Sequence, residues 1–215
     1  GGVCAVDAEW RPWGRHLRSA EVEDMDDHKV QLLQLAWPDK VYVLDVPALG
    51  EDLADALSDL LEQSDCVLVG YGLEGDMRRL ADSYPAASHH LRLKWHGIDL
   101  VHLASKVGCP GDSLGALCRG VLGRSLDKSH QCSNWARRPL SEDQLRYAAL
   151  DAWALLPLLS RMLANGEEAS GFAEVGVAAL AAAQLPATAP PGAAVDAASE
   201  TFDALSAGGA AAVAR

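Results

Sequence analysis

No apolar run in this 215-residue chain approaches the roughly 20 residues needed to cross a bilayer core, so no membrane partner is expected. A basic segment followed by a short apolar stretch, the mark of a signal peptide, is also missing. The chain opens Gly1-Gly2 with no Met and enters an apolar stretch at Val3, which reads as a domain cut from a longer protein. The five cysteines (Cys4, Cys66, Cys109, Cys118 and Cys132) are odd in number and contain no CxxC pair. That pattern argues against a disulfide framework and against a zinc site. The expectation is a reducing intracellular setting, cytoplasm or nucleus, with the thiols buried as small hydrophobes.

A basic surplus is lacking too: the formal net charge is −12. Residues 166–215 hold six acids and one base, which leaves 24 acids against 17 bases in residues 1–165. Such a surface does not suit a protein that coats duplex nucleic acid, but it leaves room for an enzyme that grips one strand end. What the chain does have is apolar residues, 49% of the total, enough for one domain of ordinary size followed by a tail.

The segment VCAVDAEW begins β-branched and runs into Asp7 and Glu9, and VQLLQLAWPD leads through a Pro-Asp-Lys turn to VYVLDV. Three such runs joined by short turns predict an antiparallel meander. Leu49, Leu53, Ala56, Leu57, Leu60 and Leu61 recur at helical spacing over residues 49–63. CVLVGY reads as a short buried strand, residues 73–84 as a helix that stops before Pro85, and WHGIDL as a further strand. The rest is predicted to be helical, with Ser113 and Ser141 as N-caps and acids in the first turn after Ser141. The fold class is α/β: a mixed sheet with a three-strand meander and then alternating strands and helices, flanking helices, and a helical C-terminal part. Residues 1–165 form the predicted domain, residues 166–185 a possible extra helix, and residues 186–215 a low-complexity Ala/Pro/Gly tail expected to be disordered.

Asp7 and Glu9 are two apart on a strand and leave the same face, where neighbouring carboxylates repel unless a cation lies between them. A solvated strand end reads the same way. Asp76 falls early in a helix, a place that suits either a ligand or a residue favoured by the helix dipole. Tyr147 and Asp151 are four apart on the last helix and share a face. Asp151 lies in an otherwise apolar stretch, where an acid is costly unless it is paired or metal-bound.

The order D-x-E, then an Asp after a strand, then Y-x-x-x-D on a late helix resembles the Tyr-bearing DEDD 3′–5′ exonucleases of ribonuclease-H-like fold. Residues 126–156, LDKSHQCSNWARRPLSEDQLRYAALDAWALL, resemble the K-S, S-N-W, R-P-L, Q and Y-A-A-x-D-A signature of ribonuclease D, Werner-type and Nibbler-like exonucleases. The Nibbler-like branch, whose members trim small-RNA 3′ ends, is nearest. Residues 3–164 are covered. At one place the chain departs from the pattern. Tyr71 and Gly72 stand where the family often has His-Asn, and Gly75 where an aromatic is common, which bears on packing against a terminal nucleotide.

The resemblance implies a two-metal-ion 3′–5′ exonuclease acting on single-stranded nucleic acid, RNA more than DNA. Asp7, Glu9, Asp76 and Asp151 would hold two Mg²⁺ or Mn²⁺ ions, since oxygen-only ligands suit hard cations. Asp7 would bridge them, Asp76 would act through water, and the Tyr147 hydroxyl would orient the attacking water. Lys128, Arg137 and Arg138 are candidates for phosphate contact, and Trp10 for stacking on the terminal base. The expected partners are RNA or DNA 3′ ends, with protein partners reached through regions outside this chain. The alternative is a nucleic-acid-binding module that keeps the fold without turnover.

Overall fold

The computed structural model describes residues 2–11, 28–50, 52–55, 57, 66–85, 97–109, 112–166 and 212–214. The expected meander forms: β1 (Val3–Trp10) pairs antiparallel with β2 (Val30–Trp37), and β2 with β3 (Lys40–Asp45). A short helix α1 (Val46–Leu49) follows, and residues 52–55 and 57 are helical, so only part of the helix expected over residues 49–63 is described. Strand β4 (Val67–Gly70) then adds parallel to the other side of β1, and β5 (Gly97–Asp99) adds parallel to β4. The sheet order is β5-β4-β1-β2-β3-β6. Its last strand, β6 (Ala212–Ala214), comes from the tail and lies parallel to β3. Apart from these three residues, the expectations for residues 167–215 lie outside the described residues.

Strand alternation divides the core in two. One face of β1 sends Cys4, Val6 and Ala8 toward α2 (Leu73–Ser83), where they meet Leu73, Met77, Leu80 and Ala81. The other face sends Val3 and Ala5 toward the long helix α5 (Glu142–Gly166), whose Ala148, Ala152, Trp153, Leu155 and Leu159 cover the sheet. Asp7 and Glu9 continue this second series, so the strand's period of two delivers them beneath α5. Ala148 and Ala152 are fully buried and small, which lets the α5 backbone come close to the strands.

The turn between β4 and α2 uses two glycines for different reasons. A Cβ at Gly70 would come within 2.7 Å of the Leu73 Cβ, so only glycine lets the helix fold back this tightly. Gly72 has φ of 82°, in the left-handed region, and its N–H donates to the Asp99 carboxylate at 3.0 Å. Asparagine tolerates that region as well, so Gly72 in place of a family Asn keeps the turn.

After β5 come α3 (Leu100–Lys106) and α4 (Leu114–Leu117), the latter capped by the Ser113 hydroxyl as expected. The continuation expected as α-helix is instead a π-helical turn over Cys118–Leu122. Helix α5 begins with a reciprocal cap: the Gln144 N–H donates to the Ser141 hydroxyl, and the Ser141 N–H donates to the Gln144 side-chain oxygen. The Gln144 amide also donates to the Ser133 hydroxyl and the Asn134 carbonyl.

Arg138 locks the same segment to the sheet. Its Nε and Nη2 bond both oxygens of Asp45 at 2.6 and 2.8 Å, Nη1 bonds the carbonyls of Trp135 and Arg137, and Nη2 reaches the Gln31 carbonyl. A guanidinium has five N–H donors, and all five are taken here. Arg138, expected as a phosphate contact, thus forms a structural clamp between residues 93 apart in sequence. The guanidinium also holds the Asp45 carboxyl below the ordinary carboxylate range. Arg138→Met is expected to lower stability by about 1–3 kcal/mol, a fall in Tm of about 3–10 °C. Arg138→Lys should recover little, because an ammonium cannot reproduce the fork. Thermal melts of both variants check this, and an unchanged Tm would contradict it.

Candidate active site

Asp7, Glu9 and Asp151 converge where β1 and α5 face each other, with one carboxylate oxygen from each lying within 4.8 Å of the others. Glu9 is buried, while Asp7 and Asp151 are partly exposed, so the cluster is reachable from solvent. The two acids of β1 arrive by strand alternation, and Asp151 arrives from α5 one turn beyond Tyr147.

Burial and mutual repulsion both disfavour ionisation. Burial, then the charges of Asp151 and Asp76, hold the Asp7 carboxyl well above its ordinary range. Burial followed by Asp7, Asp151, Asp76 and Cys132 pushes Glu9 up to about 10. Asp151 is raised by burial to about 6, against the lowering effect of the Tyr147 hydrogen bond and of Lys128. Burial, then the neighbouring Asp151 charge, pushes the ionisation of the Tyr147 hydroxyl upward. The ring is flanked by Trp135 at 5.9 Å and His130 at 6.2 Å between centroids, so the hydroxyl is held in place.

Asp76, in the first turn of α2, is not one of the three clustered carboxylates. Its charge nevertheless acts on Asp7 and Glu9, and burial followed by Asp99 raises it to about 7. Asp99 was not a candidate from sequence. Its carboxylate caps α3 at the Val101 N–H and binds the Gly72 N–H, which fixes the turn that carries Asp76. The D-L pair at the end of WHGIDL was the available signal, read only as a strand end.

Of the four substrate candidates, the structure brings Lys128 to the carboxylates, near enough to act on Asp151. Its stem lies over Gly115, where a Cβ would come within 2.6 Å of the Lys128 Cε. Arg137 is exposed on the same segment. Arg138 is committed to its clamp. Trp10 packs, partly buried, against the α2-side cluster with the Arg79 guanidinium 4.5 Å over its ring, on the sheet face opposite the carboxylates.

Four raised carboxylates, Asp7, Glu9, Asp76 and Asp151, give the cation-free protein a defined pH response. A carboxyl whose folded-state value exceeds its unfolded value binds more protons folded than unfolded, so stability falls as pH rises between the two. In chelator, Tm is expected to drop as pH rises from about 4, the ordinary carboxylate range, through about 7, where Asp151 and Asp76 have ionised. Asp7→Asn should raise Tm at pH 8 by relieving the repulsion. Melts across this range read both effects, and a Tm that climbs with pH would contradict the electrostatic account.

Comparison with known proteins agrees with this arrangement. A family model described as 3′-5′ exonuclease matches residues 3–167. The exonuclease mut-7 homolog of Homo sapiens is 35% identical over 178 residues, covering 72% of this chain and 19% of that protein. Ribonuclease D of Gluconacetobacter diazotrophicus is 34% identical over 137 residues, covering 61% of this chain and 32% of that protein. The chain thus spans a third or less of the length of these relatives. Among solved structures, the Nibbler EXO domain of Aedes aegypti matches with a TM-score of 0.67 at 27% identity, covering 83% of this chain and 86% of that one. The matched region runs from β1 to the end of α5 and includes every carboxylate described above, and the chain belongs to the 3′–5′ exonuclease family.

Proposed function

We propose that this chain removes nucleotides one at a time from the 3′ end of single-stranded nucleic acid, RNA in preference to DNA, with two divalent cations. The observation that carries the reading is the convergence of Asp7, Glu9 and Asp151, with Tyr147 one helical turn before Asp151 on the same face of α5. The residues fit hard cations: the donors are all oxygen, and three carboxylates gathered this closely repel one another unless a cation lies between them. When bound, such ions would supply an activated water and stabilise charge on the leaving oxygen. Asp7, Glu9 and Asp151 would hold them directly, with Asp76 reaching them through water.

In the reaction water adds to the terminal phosphorus, the bond from phosphorus to the neighbouring 3′ oxygen breaks, and a nucleoside 5′-monophosphate leaves. Tyr147 positions the water and does not deprotonate it. The phenolic oxygen has lone pairs that can accept from a water O–H. Its upward shift keeps it protonated at neutral pH. Lys128 and Arg137 would contact phosphate. The RNA preference draws support from the ribonuclease D relative.

The test is a 5′-labelled single-stranded RNA and the matching DNA incubated in Mg²⁺ and in Mn²⁺. The parent should give a ladder shortened from the 3′ end, faster on RNA, and Asp7→Ala or Asp151→Ala should give none. Tyr147→Phe should lower kcat by about 100-fold with KM little changed, as expected when a group that orients the attacking water is lost. Either Asp variant working at the parent rate would overturn the site. Full-length RNA and DNA persisting with the parent would favour a binding module instead.

A further inference from the structure

One buried polar side chain on the α5 side of the sheet has no part in the account so far. Gln34, in the middle of β2, is 0% exposed, and neither its amide nitrogen nor its amide oxygen has a hydrogen-bond partner among the described residues. In the register of the sheet it lies directly opposite Asp7 on β1 and Val43 on β3. Opposite residues of an antiparallel pair share a face, with Cβ atoms about 4.5–5.5 Å apart, well within the reach of a glutamine side chain. Along β2 the flanking residues on that face are Leu32 and Ala36, and both belong with Val43 to the apolar cluster beneath α5. Asp7 is thus the polar group that the register sets beside this amide.

A buried amide with no partner is costly, and an aliphatic side chain of the same size would escape that cost. The –NH₂ of glutamine offers two donors, and a carboxylate is an acceptor. Carboxylates that hold a metal are themselves steadied by hydrogen bonds from residues behind them. We propose that Gln34 is a positioning residue: its amide N–H donates to one oxygen of Asp7 when that carboxylate takes a divalent cation, leaving the other oxygen aimed at the ion. The inference rests on the cation-binding reading above. It assigns to β2 a part in the centre that the motifs on β1, α2 and α5 do not reveal.

Mn²⁺ binding to the purified chain, followed by calorimetry and by the loss of the free-ion EPR signal, tests it. Gln34→Met keeps the bulk and removes the amide, and Gln34→Leu serves if that protein is insoluble. Mn²⁺ affinity should fall about 10–100-fold, the usual cost of losing such a supporting contact. Oligonucleotide kcat should fall with it while KM stays within about twofold, because the phosphate-contacting side chains are untouched. The Tm in chelator should hold or rise, whereas a purely structural glutamine would lower Tm and leave Mn²⁺ affinity alone. A parent that binds Mn²⁺ beside a Gln34→Met that binds it equally tightly overturns this inference only. A parent that binds no more Mn²⁺ than Asp7→Asn overturns the cation reading and this inference with it.

Discussion

The repulsion among three carboxylates held within 4.8 Å of one another is the constraint to which the rest of this structure answers. Left to themselves such groups would separate or stay protonated, and the cost of gathering them falls on the packing around them. Two independent periodicities force the meeting. The two-residue repeat of β1 aims Asp7 and Glu9 at α5, and the 3.6-residue repeat of α5 aims Tyr147 and Asp151 back at β1. Between them Ala148 and Ala152 remove the side-chain bulk that would hold strand and helix apart.

A second body of residues keeps the segment between α4 and α5 in place. Trp135 is fully buried against the Tyr147 ring, Gln144 ties the first turn of α5 to Ser133 and Asn134, and Arg138 spends every donor on Asp45 and on backbone carbonyls. Much of the long S-N-W, R-P-L and Q signature is therefore a clamp that holds the segment carrying Lys128 and Arg137. The part of the sequence that most clearly marks the family is in large measure its scaffold.

The sequence made the meander, the β4–α2 unit and the capped last helix legible because each depends on local patterns: alternation, helical spacing, a Ser-x-x-Gln cap. Asp7, Glu9, Tyr147 and Asp151 were legible for the same reason. Partnerships across the fold were not. Nothing near Arg138 in sequence points to Asp45, and a cation beside a signature motif reads naturally as a phosphate contact. Trp10 follows Glu9 directly, yet the register shift between Glu9 and Trp10 and the Arg79 guanidinium hold it on the other face. Gln34 sits in VQLLQLAW, where a polar residue in an apolar run looks like a solvated position until pairing sets it opposite Asp7. The separation of Asp76 from the other three acids depends on how α2 leaves β4, which the turn through Gly70 and Gly72 decides.

The central claim is that these carboxylates are gathered to hold cations, and anomalous diffraction from crystals soaked in Mn²⁺ near pH 8 addresses it most directly. The account predicts strong anomalous peaks flanked by the Asp7, Glu9 and Asp151 oxygens. A map with no peak between those residues at millimolar Mn²⁺ would contradict it.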